Sequence, residues 1–387
     1  MSNPSDPDPW SISEPELFRE LRRSLRNDKP AVLVTITDVE GSAYRRPGAK
    51  MLVPADEESL GAVTAGCLEG PVVDLAVSIR DTGRPQIETF DLMDDDEWGL
   101  GLGCNGVIDL LLEPVDNSVE PMLSVLENRE PMTVLTSVES TDPAVSIGDR
   151  TVVDANGNPT PSSERESLPE VVVDEIVSVT KKFRTEGKSA TVEVSSRNGE
   201  VRVFVDSIKP APQLLLFGNQ NDVQPVSRLG RTVGFEVVVA SARGAMAADE
   251  DFPHAHEVVA TRPTDLAKLA DEMTYAVLMS HNFLDDRLAL EALLESSEIP
   301  YIGLMGPRKR FEQIQDELAK DGATFTEDQL ERVSTPVGLD LGGGEPVQIA
   351  LSIVSETLAI HNGRSGGRLR DEEGPIHDRV SVTIQNS

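Results

Sequence analysis

The sequence predicts an α/β protein in two main parts: an N-terminal mixed α/β domain that carries both cysteines, and a C-terminal doubly wound parallel sheet. From residue 213 onward, short aliphatic runs alternate with helical patterns, as in consecutive βαβ units. Before residue 213, short strands are joined mainly by Gly-rich turns, and few helices are predicted. A length of 387 residues suits two or three domains of roughly 150 residues.

The N-terminal domain is expected over residues 13–115, after a loose Pro-, Ser- and Asp-rich tail over 1–12. Ser13 and Glu16 have capping-box spacing, which predicts the start of a helix. A buried strand is predicted over 31–37, because this run is continuous and β-branched.

The remaining chain is expected to form three further parts. Residues 116–210 read as an irregular middle segment with strands, a helix over 169–186 and a hairpin at Asn198-Gly199. Residues 211–361 predict a Rossmann-like domain, because strands at 214–217 and 235–239 flank a helix in a βαβ unit. Residues 362–387 read as a flexible tail, and no internal repeat is detected.

The charge of the chain excludes several classes of function. It contains 67 Asp+Glu against 35 Lys+Arg, a formal net charge of -32. Such a field repels phosphate backbones and anionic lipid surfaces, so neither nucleic acid nor a membrane is an expected partner. No stretch approaches the ~20 apolar residues of a membrane helix, and the first 20 residues do not predict a secretory signal.

Composition also predicts the environment of the protein. Two cysteines make no disulfide framework, which favours a reducing cytoplasm. The acidic residues are spread along the whole chain, which favours a halophilic proteome in which salt screens self-repulsion. An ordinary acidic protein from a low-salt environment is the alternative.

The loop over 41–48 is a candidate anion site. Tyr44, Arg45 and Arg46 lie together on a stretch bounded by Gly and Pro, in a chain poor in positive charge. Guanidinium groups suit phosphate and other planar oxyanions. The alternative is a surface loop whose arginines pair with some of the many carboxylates.

Both cysteines are candidates for chemistry, because each follows a glycine on a turn. Cys67 follows Gly66, and Cys104 follows Gly103. Turn amides can stabilise a thiolate, which suits metal ligation, persulfide chemistry or nucleophilic attack. The alternative of a purely structural cysteine stays open for each.

The C-terminal half contains weaker candidates. Gly218 is the single glycine left in the turn after strand 214–217, and strand 235–239 is followed by Ala240-Ser241 rather than an acid. Intact dinucleotide binding is therefore not expected. His281 follows a strand at the carboxyl-end crevice, Arg308 starts a helix as a possible anion contact, and His254 and His256 give a weak zinc signal.

Taken in order, these segments resemble one family, the xanthine dehydrogenase accessory proteins (XdhC/CoxI). The resemblance spans about residues 30–360. The matching N-terminal stretches are 40–49 (EGSAYRRPGA), 66–69 (GCLE), 103–106 (GCNG) and 111–114 (LLEP). The matching C-terminal stretches are 217–222 (FGNQND), 229–243, 280–281 (SH), 301–306 (YIGLMG) and 335–340 (TPVGLD).

The resemblance implies a cytoplasmic chaperone of the molybdenum cofactor, with no turnover of its own. Such proteins bind the cofactor transiently, help it acquire a terminal sulfur from a cysteine desulfurase, and deliver it to a molybdenum hydroxylase. Clients include xanthine, aldehyde and carbon monoxide dehydrogenases. The family's frequent dimerisation implies a homodimer.

The resemblance also implies roles for residues. Arg45 and Arg46 would hold the anionic groups of the cofactor, and Cys67 would ligate molybdenum or relay sulfur, with Cys104 as the second candidate. The other implied cofactor-binding residues are Tyr44, Gly66, Glu69, Gly218, Asp222, His281 and Arg308. The changes at Gln220 and Ala240-Ser241 argue against NAD(P). An NAD(P)-dependent oxidoreductase and a divergent paralogue with another ligand are the alternative functions.

Overall fold

The computed structural model describes residues 9–92, 106–161, 166–242 and 249–373. They form two compact units, one ending at Pro210 and the other beginning at Ala211. None of the described helices has both the length and the apolar character that crossing a membrane requires.

The first unit contains two antiparallel five-stranded sheets and the helices that cover them. After a 3-10 helix at Pro9–Ser11, within the stretch expected as a tail, the first half runs α1 (Glu14–Arg26), β1 (Ala31–Gly41), β2 (Lys50–Pro54), β3 (Leu60–Gly61), α2 (Glu69–Thr82), β4 (Gln86–Asp91) and β5 (Gly106–Pro114). The second half runs α3 (Glu120–Leu123), α4 (Val125–Asn128), β6 (Met132–Ser140), β7 (Arg150–Val153), β8 (Pro159–Pro161), α5 (Glu170–Glu186), β9 (Ala190–Ser195) and β10 (Glu200–Ile208).

The two sheets have the same topology. Their strand orders are β3-β2-β1-β5-β4 and β8-β7-β6-β10-β9, and each has one helix between its third and fourth strands. That helix ends in both halves at a left-handed glycine, Gly83 or Gly187. The strand registers also correspond. Thr35 of β1 pairs with Lys50 of β2 in the first half, and Thr136 of β6 pairs with Arg150 of β7 in the second. The segment expected to be irregular is therefore a structural counterpart of the first sheet, a repeat that the sequence did not reveal.

Three apolar clusters hold this unit together. Alternate residues of β1, such as Val32 and Val34, face α2, because strand side chains point to opposite faces in turn. The second sheet packs in the same way against α5 through Phe183 and Val203. The third cluster contains residues of α1 and of both sheets, including Leu33 and Val134, so the two halves share one core.

Helix α1 begins where expected, but the capping box does not form. Ser13 takes the N-cap position without a side-chain hydrogen bond to the helix. Glu16 instead lies 3.0 Å from Arg19, because an ion pair one turn further along is available to it.

The second unit is the predicted doubly wound sheet. Its elements are β11 (Gln213–Phe217), α6 (Val223–Thr232), β12 (Glu236–Ser241), β13 (Glu257–Ala260), a 3-10 helix (Pro263–Leu269), β14 (Thr274–Leu278), α7 (Phe283–Ser296), β15 (Tyr301–Leu304), α8 (Arg308–Lys320), α9 (Glu327–Glu331), β16 (Val333–Ser334) and α10 (Pro346–His361). All pairs are parallel in the order β13-β12-β11-β14-β15-β16.

This order confirms the Rossmann-like prediction. The chain leaves β11 in one direction across the sheet and returns to its other side at β14, which creates a switch point between the two strands. Helices α6 and α10 cover one face, and α7 and α8 cover the other. The carboxyl ends of β11 and β14 therefore border the crevice where such sheets bind ligands.

Candidate functional site

The loop between β1 and β2 presents Tyr44, Arg45 and Arg46 on a fixed backbone. Gly48 has a φ of +96°, and its amide donates to the carbonyl of Ile36 at 2.8 Å. A Cβ at Gly48 would lie 2.9 Å from the Ser189 hydroxyl, so a larger residue could not fit without displacing this contact. Glycine is thus required both by the backbone angle and by the close approach of the second half.

This loop borders a cleft of about 630 Å³ within the first unit. One wall is the 44–50 loop with the start of α1, and the other is the turn over 187–191 that leads into β9. The volume is in the range of clefts that hold small organic ligands. Both halves of the unit therefore contribute to this cleft.

The carboxylates that line the cleft are ion-paired with cations other than Arg45 and Arg46. Glu14 and Asp206 both contact Lys50, at 3.0 and 2.9 Å. Asp38 contacts Arg202 at 2.8 Å. Within the described residues, neither Arg45 nor Arg46 has a carboxylate within ion-pair distance. Two guanidinium groups thus remain available to an anion at the edge of this cleft, in a chain of net charge -32.

Lys50 lines the cleft, and its ammonium group contacts Glu14, Asp206 and a backbone carbonyl. Only 2% of its side chain is exposed, and its ammonium also donates to the Gly48 carbonyl at 2.9 Å. Burial lowers the pKa of Lys50, but the carboxylates of Asp206 and Glu14 outweigh burial and raise this pKa above its usual range. Lys50 is therefore a structural cation that leaves anion binding to the two arginines.

Cys67 lies on a turn just before α2, and this turn is held by two side chains. The Thr64 hydroxyl accepts from the amide of Cys67 at 3.2 Å and from that of Leu68 at 3.2 Å. Glu69 in turn accepts from the Thr64 amide at 2.8 Å and from its hydroxyl at 2.6 Å. Cys67 is a half-buried free thiol on a fixed backbone.

The neighbours of Cys67 serve the turn rather than facing the cleft. Gly66 has a φ of +113°, and a Cβ there would meet nothing within 4 Å, so the surface above it is open. Both carboxylate oxygens of Glu69 are used inside the turn. Cys67 does not line the 630 Å³ cleft. Cys104 lies outside the described residues.

Asp222 and His281 meet at the switch point of the second unit. Asp222 is the N-cap of α6, which follows β11, and His281 follows β14. His281 Nε2 lies 2.7 Å from Asp222 Oδ2. His281 has a φ of +57°, which is uncommon for a residue with a side chain. The backbone thus directs its ring across the crevice to Asp222.

A pocket of about 200 Å³ lies beside this pair and is lined by Gly218, Asn219, Gln220, Ser241, Ala242, Ser280, His281, Asn282, Asp285 and Phe217. Most of its polar groups are neutral amides and hydroxyls. A Cβ on Gly218 would lie 2.6 Å from the Met279 carbonyl, so packing between β11 and β14 alone requires this glycine. Gly218 is therefore not by itself a sign of pyrophosphate binding.

A buried ion pair fixes the segment that carries His281. Asp286 is buried in α7 and accepts from Arg310 at 2.6 Å and from the Ser280 amide at 3.2 Å. Arg308, two residues before Arg310, is exposed at the start of α8 and does not line the pocket. The basic run at 308–310 thus divides into one structural arginine and one exposed arginine.

The structure groups the predicted residues into three places. Tyr44, Arg45 and Arg46 share the cleft, Gly66, Cys67 and Glu69 share the turn before α2, and Gly218, Asp222 and His281 share the switch point. His256 Nδ1 accepts from the Val237 amide, a structural role. Across the described ranges, no group of three or more His, Cys, Asp or Glu side chains could hold a metal ion.

Sequence reasoning missed several lining residues. Lys188 lies on the second wall of the cleft, and its position emerges only when the two halves are packed together. Asn219, Ser241 and Ser280 line the switch-point pocket. Their place at strand ends was a usable signal, because such ends meet in a doubly wound sheet.

Comparison with known proteins finds matches in both compact units. Residues 24–91 match the model of the XdhC and CoxI family, and residues 214–357 match that of the XdhC Rossmann domain. The chain is 26% identical to a Bacillus subtilis protein named as a probable subunit of xanthine dehydrogenase, over 86% of this chain and 94% of that protein. It is 22% identical to the molybdenum cofactor insertion chaperone PaoD of Escherichia coli, over 92% of this chain and 89% of PaoD.

A solved structure extends the similarity to the whole fold. The crystal structure of a xanthine dehydrogenase from Bacillus halodurans matches with a TM-score of 0.70 and 26% identity. The match covers 92% of this chain and 97% of that one. Together the two family models cover more than half of the residues, with one match in each compact unit. The chain belongs to the XdhC and CoxI family.

Proposed function

We propose that this chain is an accessory chaperone that binds the molybdenum cofactor, assists its sulfuration and inserts it into a molybdenum hydroxylase. The client would be of the xanthine, aldehyde or carbon monoxide dehydrogenase type. Two relatives support this class of function, one named as part of a xanthine dehydrogenase and the other as a cofactor insertion chaperone. The chain would act as a maturation factor in the cytoplasm, with no catalytic turnover of its own.

The observation that carries the proposal is the pair of uncompensated guanidinium groups at the cleft. The molybdenum cofactor is a pterin that carries a phosphate and a dithiolene-bound metal, so it is both planar and anionic. Arg45 and Arg46 are available to its phosphate because Glu14, Asp38 and Asp206 are ion-paired with Lys50 and Arg202 instead. The cleft volume of about 630 Å³ is sufficient for a ligand of this class.

Cys67 would receive the sulfur. A cysteine desulfurase carries the sulfur as a persulfide, and the Cys67 thiolate would attack its terminal sulfur. The new S–S bond would form on Cys67, and the desulfurase thiolate would leave. The turn held by Thr64 and Glu69 supports this role, because it fixes a half-buried thiol next to the open surface above Gly66. A role of Cys67 as molybdenum ligand is the alternative within this proposal.

The second candidate function is that of an NAD(P)-dependent oxidoreductase. It is favoured by the pocket at the switch point and by the His281–Asp222 pair beside it. The altered turn at Gln220 and the missing acid after β12 argue against it. Saturable binding of NADH or NADPH, lost in His281→Ala, would favour this candidate over the chaperone.

Deletion of the gene in its source organism tests the chaperone proposal. We expect loss of xanthine, aldehyde or carbon monoxide oxidation in extracts, while the client polypeptide is still made and lacks molybdenum. The wild-type gene should restore activity, and Cys67→Ala should not. Unchanged oxidation of all three substrates, with molybdenum still in every hydroxylase, would contradict the proposal.

A further inference from the structure

The two halves of the first unit supply an internal comparison for the loop at the cleft. In the second half, the loop before β7 ends over 146–150 on a backbone that matches that of 46–50. Gly148 has a φ of +91° and donates to the carbonyl of Ser137 at 2.9 Å, as Gly48 donates to that of Ile36. A second hydrogen bond also matches. The Ile36 amide donates to the Ala49 carbonyl at 3.0 Å, and the Ser137 amide donates to the Asp149 carbonyl at 3.0 Å.

The side chains of the two loops differ just before and within this matching segment. Tyr44, Arg45 and Arg46 correspond to Ala144, Val145 and Ser146, which are respectively small, apolar and small. The fold therefore builds this loop without an aromatic ring and without arginines. The shared backbone of the loop therefore does not depend on the arginine at position 46.

Tyr44 is exposed in a way that the other tyrosines are not. Its side chain is 56% exposed, whereas Tyr275 and Tyr301 are buried within the second unit. The ring of Trp10, itself 38% exposed, lies against it with centroids 6.0 Å apart and planes tilted by 34°. Two large rings thus lie side by side next to the arginines at the cleft.

We propose that Tyr44, supported by Trp10, is a stacking platform for the planar ring of a heterocycle whose phosphate is held by Arg45 and Arg46. This inference rests on the proposed function, since a pterin with a phosphate has both features. It assigns the aromatic ring of the ligand to the side of the cleft occupied by Tyr44. It also assigns a binding role to Trp10, which the sequence places in a tail.

The chemistry of the platform follows from its two parts. An aromatic face stacks on any flat heterocycle, whichever base or pterin it belongs to. Guanidinium groups form paired hydrogen bonds with phosphate oxygens. A ligand with both parts should bind more tightly than either part alone, and loss of the ring contact should leave phosphate binding in place.

Stable fragments separate these contributions. Guanosine monophosphate carries the aminopyrimidinone ring that pterin also contains, together with a phosphate. Ribose 5-phosphate carries the phosphate without the ring. In a Trp98→Phe background, Trp10 is the single tryptophan and reports contacts at the platform. Binding would be measured by calorimetry and by quenching of Trp10 emission.

We expect guanosine monophosphate to bind and to quench Trp10, and ribose 5-phosphate to bind without quenching. Tyr44→Ala should weaken guanosine monophosphate by at least about fivefold and leave ribose 5-phosphate unchanged. Tyr44→Phe should retain both. Arg45→Val and Arg46→Ser, which copy the second loop, should weaken both ligands. Ser146→Ala, in the equivalent loop, should change neither.

Equal affinity of wild type and Tyr44→Ala for guanosine monophosphate would overturn the platform, as would binding without any quenching. Binding at the switch point of the other unit gives that same result, because it does not depend on Tyr44. The outcome is separable from the proposed function. Fragment binding as expected, by a chain whose deletion leaves molybdenum in every hydroxylase, would support the platform and contradict the chaperone.

Discussion

Lys50 Nζ lies 2.9 Å from Asp206 Oδ2, and this buried contact joins the two halves of the first unit. In a second buried pair the halves exchange roles: the second half supplies the cation, Arg150, and the first half supplies the carboxylate, Glu113. Arg150 donates to the two oxygens of Glu113 at 2.7 and 2.8 Å. Lys50 and Arg150 start equivalent strands, and Glu113 and Asp206 face equivalent residues, Leu33 and Val134. Each half thus supplies one cation and one carboxylate to the other.

Of these two pairs, Lys50 and Asp206 line the cleft. The side chains of Lys50 and Arg150 are each only 2% exposed. Because a buried charge is costly without an opposite charge, each of these cations and its carboxylate need one another. Ser189 on the second wall also donates to Asp206 at 2.9 Å. The Lys50–Asp206 pair therefore fixes the wall opposite Arg45 and Arg46, and ligand binding does not need to organise it.

Lys50→Met should strongly destabilise the first unit. It leaves the buried Asp206 carboxylate without its cation, a change that costs about 3–5 kcal/mol. Lys50→Met/Asp206→Leu should recover most of the loss, because it removes the unpaired charge. Denaturant unfolding followed by Trp10 emission in the Trp98→Phe background measures both. The matched control is Lys29→Met, which breaks an exposed pair with Glu57 and should cost about 0–1 kcal/mol. A Lys50→Met loss as small as this control would contradict the prediction.

The destabilisation by Lys50→Met should be the same at pH 6 and at pH 9. The pKa of Lys50 is raised in the folded state. The charge of Lys50 therefore contributes fully to the free energy of unfolding at every pH below the pKa of the unfolded state, about 10.4. The contribution is lost only as pH rises through the higher folded-state pKa. The same unfolding assay at several pH values measures it. A difference between variant and wild type that shrinks between pH 6 and pH 9 would show that burial lowers the pKa of Lys50 instead.

Thr64→Val should expose Cys67. The hydroxyl of Thr64 accepts from the amides of Cys67 and Leu68, and its loss loosens the turn. Each lost hydrogen bond is worth about 1 kcal/mol, so alkylation of Cys67 should become at least roughly fivefold faster. Iodoacetamide labelling in a Cys104→Ala background measures this rate. Ser78→Ala, on the exposed side of α2, is the control and should react like the parent protein. An unchanged rate in Thr64→Val would mean that the turn is held by other contacts.

Low salt should unfold the protein if the acidic composition is an adaptation to high salt. At a net charge of -32, self-repulsion grows as screening is removed. Circular dichroism should show loss of helix at low ionic strength and recovery in molar KCl. A sodium sulfate series at equal ionic strength separates charge screening from a specific effect of potassium. Full secondary structure at low ionic strength would contradict the halophilic interpretation.

The sequence predicted the second unit well because its pattern is local. Aliphatic runs separated by amphipathic segments determine a doubly wound sheet, and the sheet then brings its strand ends together. His281 and Asp222 are 59 positions apart, yet both follow strands that border the switch point, so their contact could be expected. The failed capping box at Ser13 shows the limit of such rules, since Glu16 had a competing partner in Arg19.

The first unit was harder to predict because its organisation depends on distant contacts. The two halves share a strand order but little sequence, and turn-rich stretches made the second half look irregular. Lys50 and Arg150 are buried only because carboxylates from the opposite half reach them. Trp10 was assigned to a tail by composition, and only the structure places it against Tyr44.

Cofactor content tests whether the cleft at Arg45 and Arg46 holds the molybdenum cofactor, as we propose. Wild type, Tyr44→Ala/Arg45→Val/Arg46→Ser and the control Ser146→Ala would be purified from molybdenum-replete cells in molar KCl. Molybdenum would be measured by mass spectrometry and pterin by fluorescence after oxidation. We predict near-equimolar molybdenum and pterin in wild type and control, and neither in the triple variant when it is folded by circular dichroism. Equal cofactor in all three proteins would contradict the claim.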